Sequence, residues 1–348
     1  MLYYVAGLVS VSLISKYFQR ENIRRSHRGF FLNRMKEKEF FCVRRVKENV
    51  HYFCDDTLFG HIDGHGITTA VLDTGISPHP DLEGRIVAFG DMLHGKRRMY
   101  DDNSHGTHVA GIIAGSGKMS SGVYAGIAPA SRIVAVKVLD QKGEGKIRHL
   151  IEGIRAILKN REKWEIRIVN ISIGTLPHRG DEEEAELLRW VDRMWDEGLV
   201  VVTAAGNFGP RSGTVTIPGV SKKVITVGAS DDGEQKDRFG KVGTNYSGRG
   251  PTFECVCKPD LVAPGSYIRS CNGFGQKKNQ KMYSVKSGTS MSAPIVSGAA
   301  ALLLSKYPDM KNVEVKLRLL MSADDMGKDA NIQGRGLLNI EKLLNPKL

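Results

Sequence analysis

From His65 onward the chain alternates short apolar runs with segments in which apolar residues recur at helical spacing, and glycine or polar turns separate them. The runs Thr68 to Leu72, Arg132 to Val138, Ile166 to Ile171, Leu199 to Ala204 and Val224 to Val227 read as strands buried on both faces. Segments His105 to Ala114, Ile147 to Asn160, Glu183 to Glu197, Ser290 to Tyr307 and Asn312 to Met321 read as helices. This succession predicts an α/β fold, a mostly parallel central sheet flanked by helices in three layers. Ahead of it the pattern is charged and irregular. The predicted organisation is therefore a basic N-terminal extension over residues 1–60 and one main domain over 61–348.

Composition narrows the class without changing that picture. The chain has 348 residues, 41% hydrophobic and 25% charged, as expected of a globular protein and not of a disordered or fibrous one. Of the net charge of +12, residues 1–50 carry eleven Lys/Arg against four Asp/Glu, so the main domain is only mildly basic. No specific nucleic-acid binding is expected of it, whereas the extension suits contact with a membrane surface or an acidic partner. The apolar stretch Met1 to Ile14 lacks a leading positive charge and a small-residue cleavage site, and is shorter than the roughly 20 residues of a spanning helix. Five cysteines, Cys42, Cys54, Cys255, Cys257 and Cys271, cannot all pair within one chain. Free thiols and a cytoplasmic location are expected, with membrane association through residues 1–20 or secretion as the alternatives.

Candidate chemistry sits where the predicted strands stop. Ligands of open α/β sheets bind outside the carboxyl ends of the strands. There the chain reads Asp73-Thr74-Gly75, Ser172-Ile173-Gly174 and Ala205-Gly206-Asn207. Asp73 follows an apolar run and needs a partner once half-buried. His105 opens a helix of small residues and can be that partner. Ser290 opens the long apolar helix, with Pro294 tolerated in its first turn. A serine hydroxyl becomes a nucleophile only when a base takes its proton and a third group holds the resulting imidazolium. Asp73, His105 and Ser290 are the three residue types required. The backbone N–H of Ser290 and the Asn207 amide could stabilise an oxyanion. Singly, each has a plain structural explanation as a turn, cap or core residue. His108, three residues past His105, is expected to pack beside the helix, since the Glu of a zinc-binding H-E-x-x-H is missing.

Together, Ala70-Val71-Leu72-Asp73-Thr74-Gly75, Ser104-His105-Gly106-Thr107-His108, Ala204-Ala205-Gly206-Asn207 and Gly288-Thr289-Ser290-Met291-Ser292 resemble the subtilisin-like serine peptidases, the subtilases, over roughly residues 62–342. The Asp, His, Ser order is that family's own and is part of the resemblance. The resemblance implies a subtilisin-like α/β fold. It also implies a serine endopeptidase acting through an acyl-enzyme on extended or unfolded polypeptides. In it Asp73 orients, His105 is base and then acid, Ser290 attacks and Asn207 helps stabilise the oxyanion. It further implies that Ser172, Ile173 and Gly174 with Gly143, Glu144 and Gly145 form two edges between which the substrate adds as a strand. The pocket for the residue before the scissile bond would be walled by Ala204, Ala205, Gly206 and Thr216, favouring large apolar side chains. The short, Gly- and Ser-rich loop Gly115 to Gly126 lacks the six to eight oxygen ligands that calcium takes. Asp81 matches a calcium-ligand position, yet no cofactor is expected to be required. These departures look most like the intracellular bacterial branch.

Rival classes fail on the residues. Gly115-Ser116-Gly117-Lys118 suggests a phosphate loop, but Ile112 stands where its first glycine belongs and Met119 where Ser or Thr belongs. An α/β-hydrolase would need Gly-x-Ser-x-Gly, whereas Ser292 occupies the last position here. A non-catalytic module on the same fold would be expected to have lost one of the four catalytic positions, and all four are present.

Overall fold

The computed structural model describes residues 43–178, 180–233, 245–273 and 281–345. Seven parallel strands form the central sheet: β1 (Thr68–Asp73), β2 (Ile86–Asp91), β3 (Arg132–Lys137), β4 (Ile166–Ile171), β5 (Val200–Ala204), β6 (Ile225–Ala229) and β7 (Leu261–Ala263). Their spatial order is β2-β3-β1-β4-β5-β6-β7. The order reverses around β1, so the carboxyl ends of β1 and β4 open a crevice. Every residue of β1 and β5 is buried, which is why those segments read as unbroken apolar runs rather than alternating ones.

The five predicted strands and five predicted helices all form, with ends within two residues of expectation. After two short N-terminal helices, α1 (Val43–Asn49) and α2 (Asp55–Leu58), come α3 (His105–Ala114), α4 (Ile147–Asn160) and α5 (Glu182–Asp196). Helix α6 (Thr289–Lys306) follows, then α7 (Asn312–Met321), α8 (Ala330–Gln333) and α9 (Ile340–Leu344). Helix α4 buries Leu150, Ile151, Ile154 and Ile157 along one stripe and leaves its other face to solvent. Helix α6 has no such polarity. From Met291 to Leu304 every residue is buried, so its alanines, serines and leucines form the middle of one helical layer. This fixes Ser290 at the mouth of a rigid element.

Three features had no counterpart in the sequence pattern. Strand β2 is a half-exposed edge, β7 is three residues long, and β8 (Ile268–Cys271) and β9 (Tyr283–Lys286) form an antiparallel hairpin packed on α3. The described chain also packs with the compact body from Val43, ahead of residue 61 where the main domain was expected to begin. Val46, Val50, Tyr52 and Cys54 are buried in the common core. The Ile340 N–H donates to the Val50 carbonyl at 2.8 Å, and Lys306 pairs with Asp56 at 2.6 Å. Those four apolar residues are spaced among charges, which hid their burial. Residues 1–42, with the expectations placed on the apolar stretch Met1 to Ile14 and on Cys42, lie outside the described residues. Among the described residues no helix is long and apolar enough to cross a membrane, and Cys54, Cys255, Cys257 and Cys271 are free thiols.

Candidate active site

Asp73 is the last residue of β1 and is 1% exposed. Its Oδ1 accepts the Thr74 N–H at 2.7 Å, and its two oxygens lie 2.7 and 2.9 Å from His105 Nδ1. His105 is the first residue of α3, brought to the strand end by the glycine that follows it. A Cβ at Gly106 would lie 2.2 Å from the Gly75 carbonyl oxygen, so no larger residue allows the helix so close. A second carboxylate fastens the junction. Asp101 Oδ1 accepts from Thr74 Oγ1 and from the N–H groups of Asn103 and Ser104, while Oδ2 accepts from Thr107 N–H and Oγ1. The fully buried Lys137 donates to the Thr74 and Leu139 carbonyls and to Asp102 at 2.6 to 2.7 Å, closing the turn from behind. This clamp was not foreseen; the sequence shows Asp101 and Lys137 only as one more loop carboxylate and one more charge in a strand.

Burial pushes the His105 imidazole toward its neutral form. The charge and hydrogen bond of Asp73 outweigh it, so the net displacement is upward from the ordinary histidine value of 6.5. His108 has no carboxylate, and burial takes it down to about 3. It stays neutral, with Nε2 at 3.1 Å from the Ile268 carbonyl and 3.2 Å from that of Ser284, tying the β8–β9 hairpin to α3.

Ser290 opens onto the same cleft as His105, a cavity of about 550 Å³. Its hydroxyl donates to the Ser172 carbonyl at 2.9 Å, and the structure holds no hydrogen bond from it to His105. The Ser290 N–H lies in the first turn of α6, where the helix supplies no carbonyl for it. Asn207 faces this turn. Its Oδ1 accepts Thr289 N–H at 2.9 Å and Thr289 Oγ1 at 3.1 Å, which orients the amide and leaves its Nδ2 as donor, close over Gly288.

The six residues predicted to flank a bound strand, Gly143, Glu144, Gly145, Ser172, Ile173 and Gly174, all line the cleft. Of the four predicted pocket walls, Ala204 and Gly206 line it, and Ala205 and Thr216 do not. Alternation along an extended chain turns Ala205 inward, fully buried. Thr216 is buried behind the wall between two glycines, since a Cβ on Gly206 or Gly174 would come within 2.4 Å of its side chain. Among the lining residues that the sequence did not single out is Phe208, beside Asn207 with half its surface exposed. An isolated aromatic after an asparagine carries no periodic signal.

Asp81, which matches a calcium-ligand position of the family, is buried and receives the Met119 N–H on Oδ1 at 2.8 Å and the Tyr283 hydroxyl on Oδ2 at 2.6 Å. The other groups that meet it as possible ligands are His79 and Cys271. Two hydrogen-bond donors beside an imidazole and a thiol do not fit a hard, oxygen-seeking cation, and no step is assigned to a metal.

A buried carboxylate and an imidazole share a cleft with a helix-start serine and an amide donor at the carboxyl ends of a parallel sheet, the residue types that nucleophilic catalysis needs. The subtilase family model matches residues 64–336, and the chain belongs to that family. It is 45% identical over 294 residues to serine protease AprX of Bacillus subtilis, covering 80% of this chain and 66% of AprX. Subtilisin NAT of Bacillus subtilis subsp. natto is 36% identical over 282 residues, and the chain again spans somewhat under two thirds of that relative, 65%. Among solved structures, a psychrophilic protease superposes with a TM-score of 0.67 at 30% identity, covering 80% of this chain and 92% of the other. A cold-adapted subtilisin-like serine proteinase gives 0.63 at 30% identity, with 80% and 89% covered.

Proposed function

We propose that the protein is a serine endopeptidase that cleaves extended polypeptide through an acyl-enzyme. The observation that carries the reading is the Asp73–His105 pair, 2.7 Å apart, opening into the cleft that also holds Ser290 and the Asn207 amide. Substrate enters as a strand between residues 143–145 and 172–174 and so displaces the Ser290 hydroxyl from the Ser172 carbonyl. A rotation about its first side-chain torsion then brings Oγ to His105 Nε2. His105 removes the hydroxyl proton as Oγ attacks the carbonyl carbon, and Asp73 holds the imidazolium through Nδ1. The oxyanion is met by Ser290 N–H and Asn207 Nδ2, at the positive end of α6. Collapse expels the amine, which takes the proton from His105. Water repeats the sequence on the acyl-enzyme and regenerates Ser290.

Labelling by a fluorophosphonate tests the assignment. Stoichiometric labelling of the folded protein that vanishes in Ser290→Ala supports it, and a folded protein that does not label at all sinks it. Asn207→Ala is expected to lower kcat by about 10²–10³ with little change in KM, a magnitude measured on subtilisin and carried over to this family member. An unchanged kcat would remove Asn207 from the oxyanion site.

Before the scissile bond the preferred side chain is large and apolar. Ala204 and Gly206 leave room, and the exposed Phe208 ring offers an apolar partner beside them. Phe208→Ala is accordingly expected to raise KM for a phenylalanine or leucine substrate by about tenfold and to leave an alanine substrate nearly unaffected. Equal effects on both would show that Phe208 does not meet that side chain.

A further inference from the structure

Asp81 is fully buried, and a buried carboxylate is stable only when cations or hydrogen-bond donors compensate it. Both of its oxygens are met by donors of the chain itself, and the two donors come from distant segments. Met119 belongs to the loop between α3 and β3, and Tyr283 is the first residue of β9. The backbone adds a third tie, since the Ser116 N–H donates to the Asp81 carbonyl at 2.8 Å. The loop is also closed on itself, with the Gly126 N–H on the Gly115 carbonyl at 2.7 Å and the Tyr124 N–H on Ser120 Oγ at 2.9 Å. The neighbours of Asp81 are engaged as well. His79 Nδ1 accepts the Asp81 N–H at 3.0 Å, which puts the ring proton on Nε2, 2.9 Å from the Met282 carbonyl, so both ring nitrogens have a partner. The Tyr283 ring packs edge-on against His79 and against Tyr124, whose hydroxyl accepts from Arg269 at 2.7 Å. A cation on Asp81 would have to displace the Tyr283 hydroxyl and disturb this packing.

We propose that the Asp81–Tyr283 hydrogen bond is a metal-free latch that takes the place of a cation at this position and locks the 115–126 loop to the β8–β9 hairpin. A hydroxyl on a carboxylate is a charge-assisted bond, stronger than one between neutral groups, and Tyr283 brings it on a ring already fixed by its aromatic neighbours. The latch bears on the catalytic helix. The next residue of β9, Ser284, offers its carbonyl to His108 Nε2 at 3.2 Å, one helical turn beyond His105, and the locked loop leaves α3 at its other end. Asp81, Met119 and Tyr283 thus hold α3 between the hairpin and the loop. The latch is independent of what the cleft does, so unfolding and not turnover is its readout.

Thermal unfolding tests it, with Ser290→Ala present throughout to prevent self-digestion. The parent protein, Tyr283→Phe and Asp81→Asn are each melted in a chelator and in calcium. The parent Tm is expected to be the same in both, whereas a calcium site at Asp81 would raise it by about 5 °C or more at a hundredfold excess over Kd. Tyr283→Phe keeps the ring and removes only the hydroxyl. It should lower Tm by about 3–6 °C, and trypsin should cut after the exposed Lys118, beside Met119, sooner than in the parent. A Tyr283→Phe protein that melts with the parent and is cut no faster overturns the latch. So does a parent that loses stability in chelator when Asp81→Asn does not, because a cation then sits on Asp81. A chelator effect that persists in Asp81→Asn places the cation elsewhere, and the latch then stands or falls on Tyr283→Phe.

Discussion

Ser290→Ala is expected to reduce kcat by about 10⁶, and His105→Ala by about as much, with the double variant no worse than either alone. That scale and its non-additivity were measured on subtilisin; what the present geometry adds is why the loss should be clean. Among the described residues, Ser290 Oγ hydrogen-bonds the Ser172 carbonyl alone. Removing it leaves Thr289, Asn207 and the helix start bonded as before. Stability should fall by only about 1 kcal/mol, the net worth of one hydrogen bond. A variant that folds, melts within a few degrees of wild type and still binds peptide, yet turns over a millionth as fast, is the expected outcome. Retention of even a tenth of the activity by Ser290→Ala would mean that another group attacks, and neither Ser172 nor Ser292 offers one. The Ser172 hydroxyl is held between Asn170 and the Ser290 carbonyl, and Ser292 is fully buried.

The parts of the molecule legible in the sequence are those where burial is extreme. Strands β1, β3, β4, β5 and β6 are covered on both faces, so each is an apolar run with a polar stop, and the stop is where Asp73 or the 205–207 turn emerges. Helices with one buried stripe, such as α4, announce themselves by spacing. The half-exposed β2 and the hairpin lack both signatures. Strand β9 carries Tyr283, Ser284, Val285 and Lys286, all at least partly exposed, and owes its existence to pairing with β8 rather than to its own pattern. The same limit applied inside the site. Which of Ala204, Ala205 and Gly206 face the cleft depends on a strand phase that motif spacing does not contain. The role of Lys137 depends on a fold that brings Thr74, Asp102 and Leu139 around one ammonium. Composition reads it as a charge interrupting a strand.

Asp73→Asn is expected to lower kcat by about 10⁴ while leaving the fold intact, again a magnitude with precedent in serine peptidases. The mechanism can be followed atom by atom. The Thr74 N–H donates to Oδ1, so an asparagine keeps its oxygen there and turns its amide nitrogen to the place of Oδ2, 2.9 Å from His105 Nδ1. Nδ1 then faces an amide donor at 2.9 Å and, at 2.7 Å, an oxygen that has lost its charge, so the tautomer that accepts at Nδ1 gains and the imidazole proton moves to Nε2. The nitrogen that should take the Ser290 proton then already carries one. The pH dependence should move as well. Burial presses His105 toward neutrality, and the carboxylate outweighs it. Without that charge the imidazole pKa falls below the wild-type value, and the acid limb of the residual kcat/KM shifts to lower pH. Stability follows the same linkage. A folded-state pKa raised above the unfolded 6.5 means that the pair contributes fully below about pH 6.5 and loses its contribution as pH rises through the folded value. Asp73→Asn should therefore cost more stability at pH 5 than at pH 9. Thermal unfolding at the two pH values, together with a kcat/KM profile, checks both consequences. A loss of stability that is equal at both, or an acid limb that stays where the wild type has it, would mean that Asp73 does not set the charge of His105.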